Sequence, residues 1–140
     1  MRRPRCFRQY PSLPPPSRRL AEQVRQAVGN DDSVVIGVTG DDIYPRSWNF
    51  HYVFGWRLDN RVAVVSYARM DPRFFKRPES LDLLQRRLRH MVTKELGVML
   101  YGLEASADPA SPMFRDIEGL QELDAMGEDL ALAGFPSGTL

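Results

Sequence analysis

Residues 92–105, "VTKELGVMLYGLEA", are typical of the last turns of a long amphipathic helix that stops at a glycine. Ser80 or Asp82 can cap the start of this helix, and Gly102 is expected to end it. Its apolar residues fall within a stripe roughly 100° wide. They are Leu84, Leu88, Val92, Leu96, Met99 and Leu103. The segment therefore predicts a helix that packs one face into a core.

A short helix and a buried strand are predicted upstream. Ser17 is a suitable N-cap for the helix "RRLAEQVRQAVG", which Gly29 and Asn30 end. Residues 33–39, "SVVIGVT", form a continuous β-branched run, which is typical of a strand covered on both faces. Residues 1–16 are rich in arginine and proline and are expected to form a basic, extended arm.

A hairpin and a final helix complete the predicted elements. Residues 49–56, "NFHYVFGW", and 61–69, "RVAVVSYAR", flank a turn signal at Asp59 and Asn60. Trp56 and Tyr67 of this hairpin are expected in the core. Residues 116–132 have the spacing of an amphipathic helix. It would turn inward the apolar side chains Ile117, Leu120, Leu123 and Met126.

The composition is that of one globular domain. The chain has 140 residues, of which 43% are hydrophobic and 26% charged. We expect a single α+β domain over residues 17–132, in which a small mixed sheet lies under helices. Residues 133–140 are expected to form a flexible tail.

The charges and the cysteine count limit the function classes. The net charge is +1, yet residues 1–28 carry seven arginines and one glutamate, while residues 101–140 carry eight acids and only Arg115 as a base. Solvated faces and the steering of a partner both account for this split. One cysteine, Cys6, excludes an intrachain disulfide and favours a cytoplasmic setting. We expect neither membrane nor nucleic acid as a partner, because no apolar span and no nucleic-acid-binding motif is present.

Five segments, taken in order over about residues 33–130, resemble the archaemetzincins, a family of zinc metallopeptidases in the metzincin clan. "VVIGVTGDDIY" resembles a strand and an Asp-rich turn of that family, and "NFHYVFGW" with "VAVVSYARM" resembles its hairpin. "KELGVMLYGLE" falls where the zinc-binding helix belongs, and "SPMF" and "LQELD" resemble the Met-turn and the acidic helix behind it. The resemblance implies a metzincin-like zincin fold, with a twisted sheet and hairpin packed under the long former active-site helix and a C-terminal helix. It also implies an N-terminally shortened sheet with an exposed edge.

The family's zinc site requires the pattern H-E-x-x-H-x-x-G-x-x-H, in which three histidines bind zinc and the glutamate is the general base. By this resemblance the first histidine falls on Lys94, the base on Glu95 and the second histidine on Val98. The third falls on Glu104, or on Ala105 if one residue is inserted. The family's cysteine-rich second zinc site is absent as well. The resemblance therefore implies a pseudoenzyme that keeps the base position, has lost its zinc site and needs no metal or other cofactor.

The rest of the former cleft leaves two interpretations open. Helical geometry places Lys94 and Val98 at one edge of the apolar stripe, beside Arg87 and Tyr101. In one interpretation Lys94 or Arg87 replaces the missing cationic charge and holds an anionic ligand, such as a peptide C-terminus. In the other, Lys94 extends to water and Glu95 accepts a local hydrogen bond.

Met113 resembles the methionine of the Met-turn, and without zinc it is expected to fill the core. His90 lies one turn before Lys94, so His90, Glu95 and Glu104 form a conceivable nonstandard metal set, whereas a lone histidine on a helix surface is more often solvated.

Three functions remain open from the sequence. The first is an inactive, archaemetzincin-like binding module for a peptide or protein partner, or for a second copy of the chain across the exposed sheet edge. The second is a divergent zinc metallopeptidase with nonstandard ligands and Glu95 as general base. The third is a decaying paralogue without a function of its own. We prefer the first.

Overall fold

The computed structural model describes residues 16–29, 32–44 and 52–130. The predicted arm before Pro16, the start of the predicted hairpin and the predicted tail lie outside these residues. The chain divides after Arg69 into two compact units. The elements, in order, are α1 (Pro16–Val28), β1 (Val35–Thr39), β2 (Gly55–Arg57), β3 (Val62–Ser66), a 3-10 helix (Pro72–Phe75), α2 (Leu81–Tyr101) and α3 (Leu120–Ala125). The predicted α+β class is confirmed. Within the described ranges, no helix combines the length and the apolar character that a membrane span requires.

The first unit contains a small mixed sheet with the strand order β1-β3-β2. β1 runs parallel to β3, with Val35 opposite Val62, and β2 runs antiparallel to β3, with Gly55 opposite Val65. All five residues of β3 are buried. The predicted mixed sheet is therefore confirmed, with β3 as its central strand.

The predicted hairpin turn is confirmed. One carboxylate oxygen of Asp59 accepts hydrogen bonds from the backbone N–H of Arg61 (2.8 Å) and of Val62 (3.1 Å). This short-range pattern closes the turn between β2 and β3. A core cluster of the first unit consists of Ala21, Ile43, Val62 and Val64. Trp56 is partly buried against it, as expected. Tyr67 is 37% exposed, so its predicted core position is wrong.

The cap predicted for α1 is wrong. Ser17 lies inside the helix, fully buried, and its hydroxyl donates to the carbonyl of Tyr44 at 3.0 Å. The helix begins at Pro16, two residues before its predicted start at Arg18. Proline fits the first helical position, where its missing N–H would be unbonded in any case. The end of α1 is as predicted, since Gly29 has a left-handed φ of 74°.

The prediction that β1 is covered on both faces is also wrong. On one face Gly37 lies so close to α1 that an added Cβ would meet Val24 Cγ2 at 2.6 Å. On the other face Val38 is 50% exposed. A β-branched run reports strand propensity, and it does not by itself reveal whether a second layer covers the strand.

In the second unit, the ends of α2 are those predicted. The Ser80 hydroxyl accepts from the N–H of Leu83 at 3.3 Å. Gly102 adopts a φ of 61° and donates its N–H to Val98 O at 3.1 Å, which ends the helix.

The final helix is shorter than predicted. α3 covers six residues, Leu120–Ala125, instead of 116–132. After it the N–H of Gly127 donates to Ala110 O at 2.9 Å, and a Cβ on Gly127 would lie 2.8 Å from that oxygen. This contact draws the chain away from a helical path. Leu123 and Met126 are buried, as predicted.

Candidate functional site

The buried face of α2 differs from the predicted apolar stripe. The fully buried residues of the helix are Arg87, His90, Met91, Glu95, Gly97 and Met99. Of the six residues in the predicted stripe, only Met99 is among them. Lys94 and Val98 are half-buried. Lys94 lies one turn from the buried His90 and Gly97, so its predicted position at an edge is wrong, whereas Val98 lies one turn from the exposed Tyr101. The predicted stripe was wrong because it was drawn from the spacing of apolar side chains alone, whereas three of the buried residues are charged or ionisable.

Lys94 connects α2 to the loop that follows it. The Lys94 ammonium donates a hydrogen bond to the carbonyl oxygen of Phe114 at 2.7 Å. Phe114 is buried, with 7% of its surface exposed. A charged donor on a buried carbonyl is a strong hydrogen bond. Lys94 therefore ties the loop to the helix, and the alternative that its side chain only extends into water does not describe it.

The loop from Ser106 to Arg115 is closed by its own backbone. Ser106 N–H donates to Met113 O at 2.8 Å, and Arg115 N–H donates back to Ser106 O at 3.0 Å. Within the loop, the Ser111 hydroxyl accepts from the N–H of Met113 at 3.0 Å. These bonds fix the carbonyl that Lys94 contacts.

Met113 packs directly against the helix. Its side chain is fully buried, and a Cβ added to Gly97 would lie 2.5 Å from the Met113 sulfur. A larger residue at position 97 would therefore force the Met113 side chain to shift. Met113 therefore fills the core beneath the helix. A glycine inside an otherwise strong helical pattern was the sequence signal for this close approach.

The other residues that were predicted to line the cleft differ widely in how exposed they are. Glu95 is buried, with 4% exposed. Val98 is half-buried, Tyr101 is 40% exposed, and Glu104 is exposed beyond the Gly102 cap. The structure thus gathers Lys94 and Met113 around one loop, while Tyr101 and Glu104 lie at the open end of the helix.

Arg87 takes part in a buried ion pair. Its guanidinium donates from Nε and Nη2 to the two carboxylate oxygens of Asp124, at 2.8 and 2.9 Å, and from Nη1 to Met70 O at 2.7 Å. Arg87 is 7% exposed. Its side chain therefore joins α2 to α3, an arrangement that the sequence analysis did not find.

His90 also joins these two elements. It is 3% exposed; its Nδ1 lies 2.8 Å from Leu123 O, and its Nε2 lies 3.2 Å from a carboxylate oxygen of Glu128. Because a carbonyl oxygen only accepts, the contact between Nδ1 and Leu123 O is a hydrogen bond in which Nδ1 donates. The expectation of a solvated histidine is wrong.

The residues at the positions that the family resemblance assigns to zinc ligands do not fit a zinc ion. Zinc requires three or four nitrogen, sulfur or oxygen donors in tetrahedral geometry. The ammonium of Lys94 is a hydrogen-bond donor to Phe114 O, and Val98 has no donor atom for a metal. Among the residues that the structure describes, no three histidine, cysteine, aspartate or glutamate side chains are grouped to hold a metal ion.

Comparison with known proteins supports the family resemblance. No protein-family model matches the chain. The chain is 37% identical over 70 residues to an archaemetzincin of Methanocaldococcus jannaschii, which covers 49% of this chain and 38% of that protein. It is 41% identical over 63 residues to an archaemetzincin of Thermococcus kodakarensis, which covers 44% of this chain and 33% of that protein. The matches thus span about a third of the length of these relatives.

A solved structure shares the fold. A zinc-dependent peptidase from Methanocorpusculum labreanum superposes with a TM-score of 0.63 at 23% identity, over 80% of this chain and 62% of that one. The mixed α+β architecture is therefore similar to that of a zinc-dependent peptidase.

Replacing Lys94 with methionine is expected to lower the free energy of unfolding by about 1–3 kcal/mol, because the buried Phe114 carbonyl loses a charged donor. Chemical denaturation measures this change. The matched control is Lys76→Met at an exposed lysine, for which a change within about 0.5 kcal/mol is expected. Equal effects of the two substitutions would show that the Lys94 hydrogen bond does not stabilise the loop.

Proposed function

We propose that the chain is a degenerate archaemetzincin-like domain that does not cleave peptides and acts as a binding module for a peptide or protein partner. The observation that carries the proposal is the Lys94 hydrogen bond. The position equivalent to the first zinc ligand holds a cation, and that cation is bonded to Phe114 O. A glutamate at the base position has no zinc-bound water to activate there.

The similarity to archaemetzincins and to a zinc-dependent peptidase supports descent from a peptidase scaffold. The retained scaffold supports binding, because the groove and sheet edges of a peptidase can hold a peptide without cleaving it. Self-association across the sheet edge remains part of this proposal, since β1 and β2 are the outer strands of the described sheet.

The alternative is a divergent zinc peptidase that uses nonstandard ligands. The observation that favours it is Glu95, which keeps the identity of the general base and is buried, with 4% exposed. A buried carboxylate is costly unless it has a structural or chemical role. Among the described residues, however, no group of three candidate ligands surrounds it.

Metal analysis together with a cleavage assay separates the two functions. The purified chain is incubated with excess zinc, dialysed and analysed for zinc, and the same sample is assayed on a mixture of unstructured peptides. The zinc-dependent peptidase of Methanocorpusculum labreanum is the positive control. We expect far less than one zinc ion per chain and no cleavage above background.

The contrary result is also well defined. One zinc ion per chain, removed by a chelator, together with cleavage that is lost in Glu95→Gln, would overturn the proposed function. Cleavage that is equal in wild type and Glu95→Gln would instead indicate a contaminating peptidase.

A further inference from the structure

Two phenylalanines project from the 3-10 helix of the second unit. Phe74 is 47% exposed and Phe75 is 46% exposed. Their rings meet edge to face, with centroids 5.1 Å apart. Adjacent large apolar side chains with about half their surface in water are unfavourable unless something covers them, and such patches commonly mark interaction sites.

The local backbone fixes these rings in place. The Asp71 carboxylate accepts from the N–H of Arg73 at 2.9 Å and from its guanidinium at 2.8–3.2 Å, which caps the start of the turn. The Arg73 side chain lowers the pKa of the Asp71 carboxyl below its usual value. At the other end, Lys76 adopts a left-handed φ of 59°, and its N–H donates to Arg73 O at 3.0 Å. The exposed rings therefore belong to an ordered turn.

Phe75 forms one wall of a groove between this turn, the first turns of α2 and the start of α3. The groove has a volume of about 370 Å³. Its lining residues are Pro72, Phe75, Arg77, Leu83, Arg87 and Leu120. This volume lies at the lower end of the range for ligand pockets, and it suits one or two side chains of a peptide.

The charged side chains that line the groove are Arg77 and Arg87. Arg87 is neutralised by Asp124, and Arg73 is paired with Asp71. Lys76 and Arg77 are exposed, and no described acidic side chain forms an ion pair with either of them. The groove lining therefore presents one exposed cation, Arg77, beside the apolar wall, and Lys76 precedes Arg77 in the chain.

We propose that this groove binds an acidic peptide segment, with one large apolar side chain against Phe75 and Leu83 and a carboxylate on Arg77. The charge complementarity and the apolar lining support this occupant. Phe75 lines a concave groove together with Leu83 and Leu120, and such a shape accepts an inserted side chain of a peptide. The inference rests on the proposed role of the chain as a binding module, and it names the chemistry of the partner.

The test uses the full chain and an array of random seven-residue peptides. We expect the retained peptides to be rich in aspartate and glutamate and to contain a large apolar residue. A fluorescent copy of the most strongly retained peptide then measures affinity in solution. Arg77→Glu and Phe75→Ala should each weaken its binding about 10-fold or more, and added salt should weaken binding to the wild type.

Matched controls separate the groove from general charge and hydrophobicity. Arg86→Glu makes the same charge change at another exposed position, and Leu100→Ala removes another exposed apolar side chain; neither should change affinity more than about 2-fold. Retained peptides without acidic enrichment, or equal losses in the groove variants and their controls, would overturn the inference. Binding to phosphatidylserine vesicles but to no peptide would overturn it as well.

This test can fail separately from the proposed function. Zinc content and peptide cleavage are measured on the same preparations. Zinc-dependent cleavage together with intact groove binding would overturn only the proposed loss of peptidase activity. A metal-free, inactive chain with no acidic-peptide binding would overturn the groove alone.

Discussion

Replacing Asp124 with alanine is expected to lower the free energy of unfolding of this protein by about 2–4 kcal/mol. The substitution leaves the Arg87 guanidinium without its carboxylate while 7% of the residue is exposed. A buried charge that loses its partner must be hydrated or neutralised, and arginine cannot be neutralised near pH 7. The Asp124 side chain is itself 32% exposed, which places the expected loss below that of a fully buried pair.

Urea denaturation measures this loss, and two further variants test its cause. The double variant Arg87→Met/Asp124→Ala removes both charges, so its loss should be smaller than the sum of the single losses by about 1–3 kcal/mol. The exposed pair Arg18–Glu22 is the matched control. Glu22→Ala should cost no more than about 0.5 kcal/mol.

Additive losses in the double variant would contradict this prediction. They would mean that Arg87 and Asp124 contribute independently, through packing and not through their ion pair. The result also bears on the anionic-ligand interpretation of the sequence, because an Arg87 that is held by Asp124 has less positive charge to offer an external ligand.

The features that the sequence predicted well are set by residues close together in the chain. The Ser80 cap bonds Leu83, three residues away, and the Asp59 turn bonds Arg61 and Val62. Such bonds depend on residue type and spacing alone, so one sequence is enough to find them. The same holds for Gly102, whose left-handed conformation ends α2.

The features that it missed join residues far apart. Arg87 meets Asp124 across 37 positions, and His90 meets Leu123 across 33. Hydrophobic periodicity cannot indicate that a charged or ionisable side chain is buried, because burial depends on a partner that another element supplies. This is why the buried face of α2 was misplaced.

The candidate site was predictable only in part. The family resemblance located Lys94, Glu95 and Val98 on one helix, and that helix has the predicted ends. It could not show that the Lys94 ammonium would bond Phe114 O, since the loop conformation fixes where that carbonyl points. The site's polar contacts therefore required the structure.

Replacing His90 with alanine is expected to lower the free energy of unfolding by about 2–4 kcal/mol, the second large effect in this molecule. The ring is 3% exposed, so its removal leaves a cavity beneath α2. It also removes the donor that lies 2.8 Å from Leu123 O. Leu123 is itself fully buried, so water has little access to replace that donor.

Two substitutions divide this loss into its parts. His90→Phe keeps a ring of similar size and removes the donor, so it should cost about 1–3 kcal/mol through the unsatisfied carbonyl. Glu128→Gln changes the partially exposed neighbour of Nε2, which also pairs with Arg89 at 3.3 Å, and it should cost less than about 1 kcal/mol. Chemical denaturation compares all three variants with the wild type. If His90 were solvated, as the isolated sequence suggested, the free energy of unfolding of every variant would lie within about 0.5 kcal/mol of the wild-type value. The polar attachment of α3 to α2 would then depend on the Arg87–Asp124 pair.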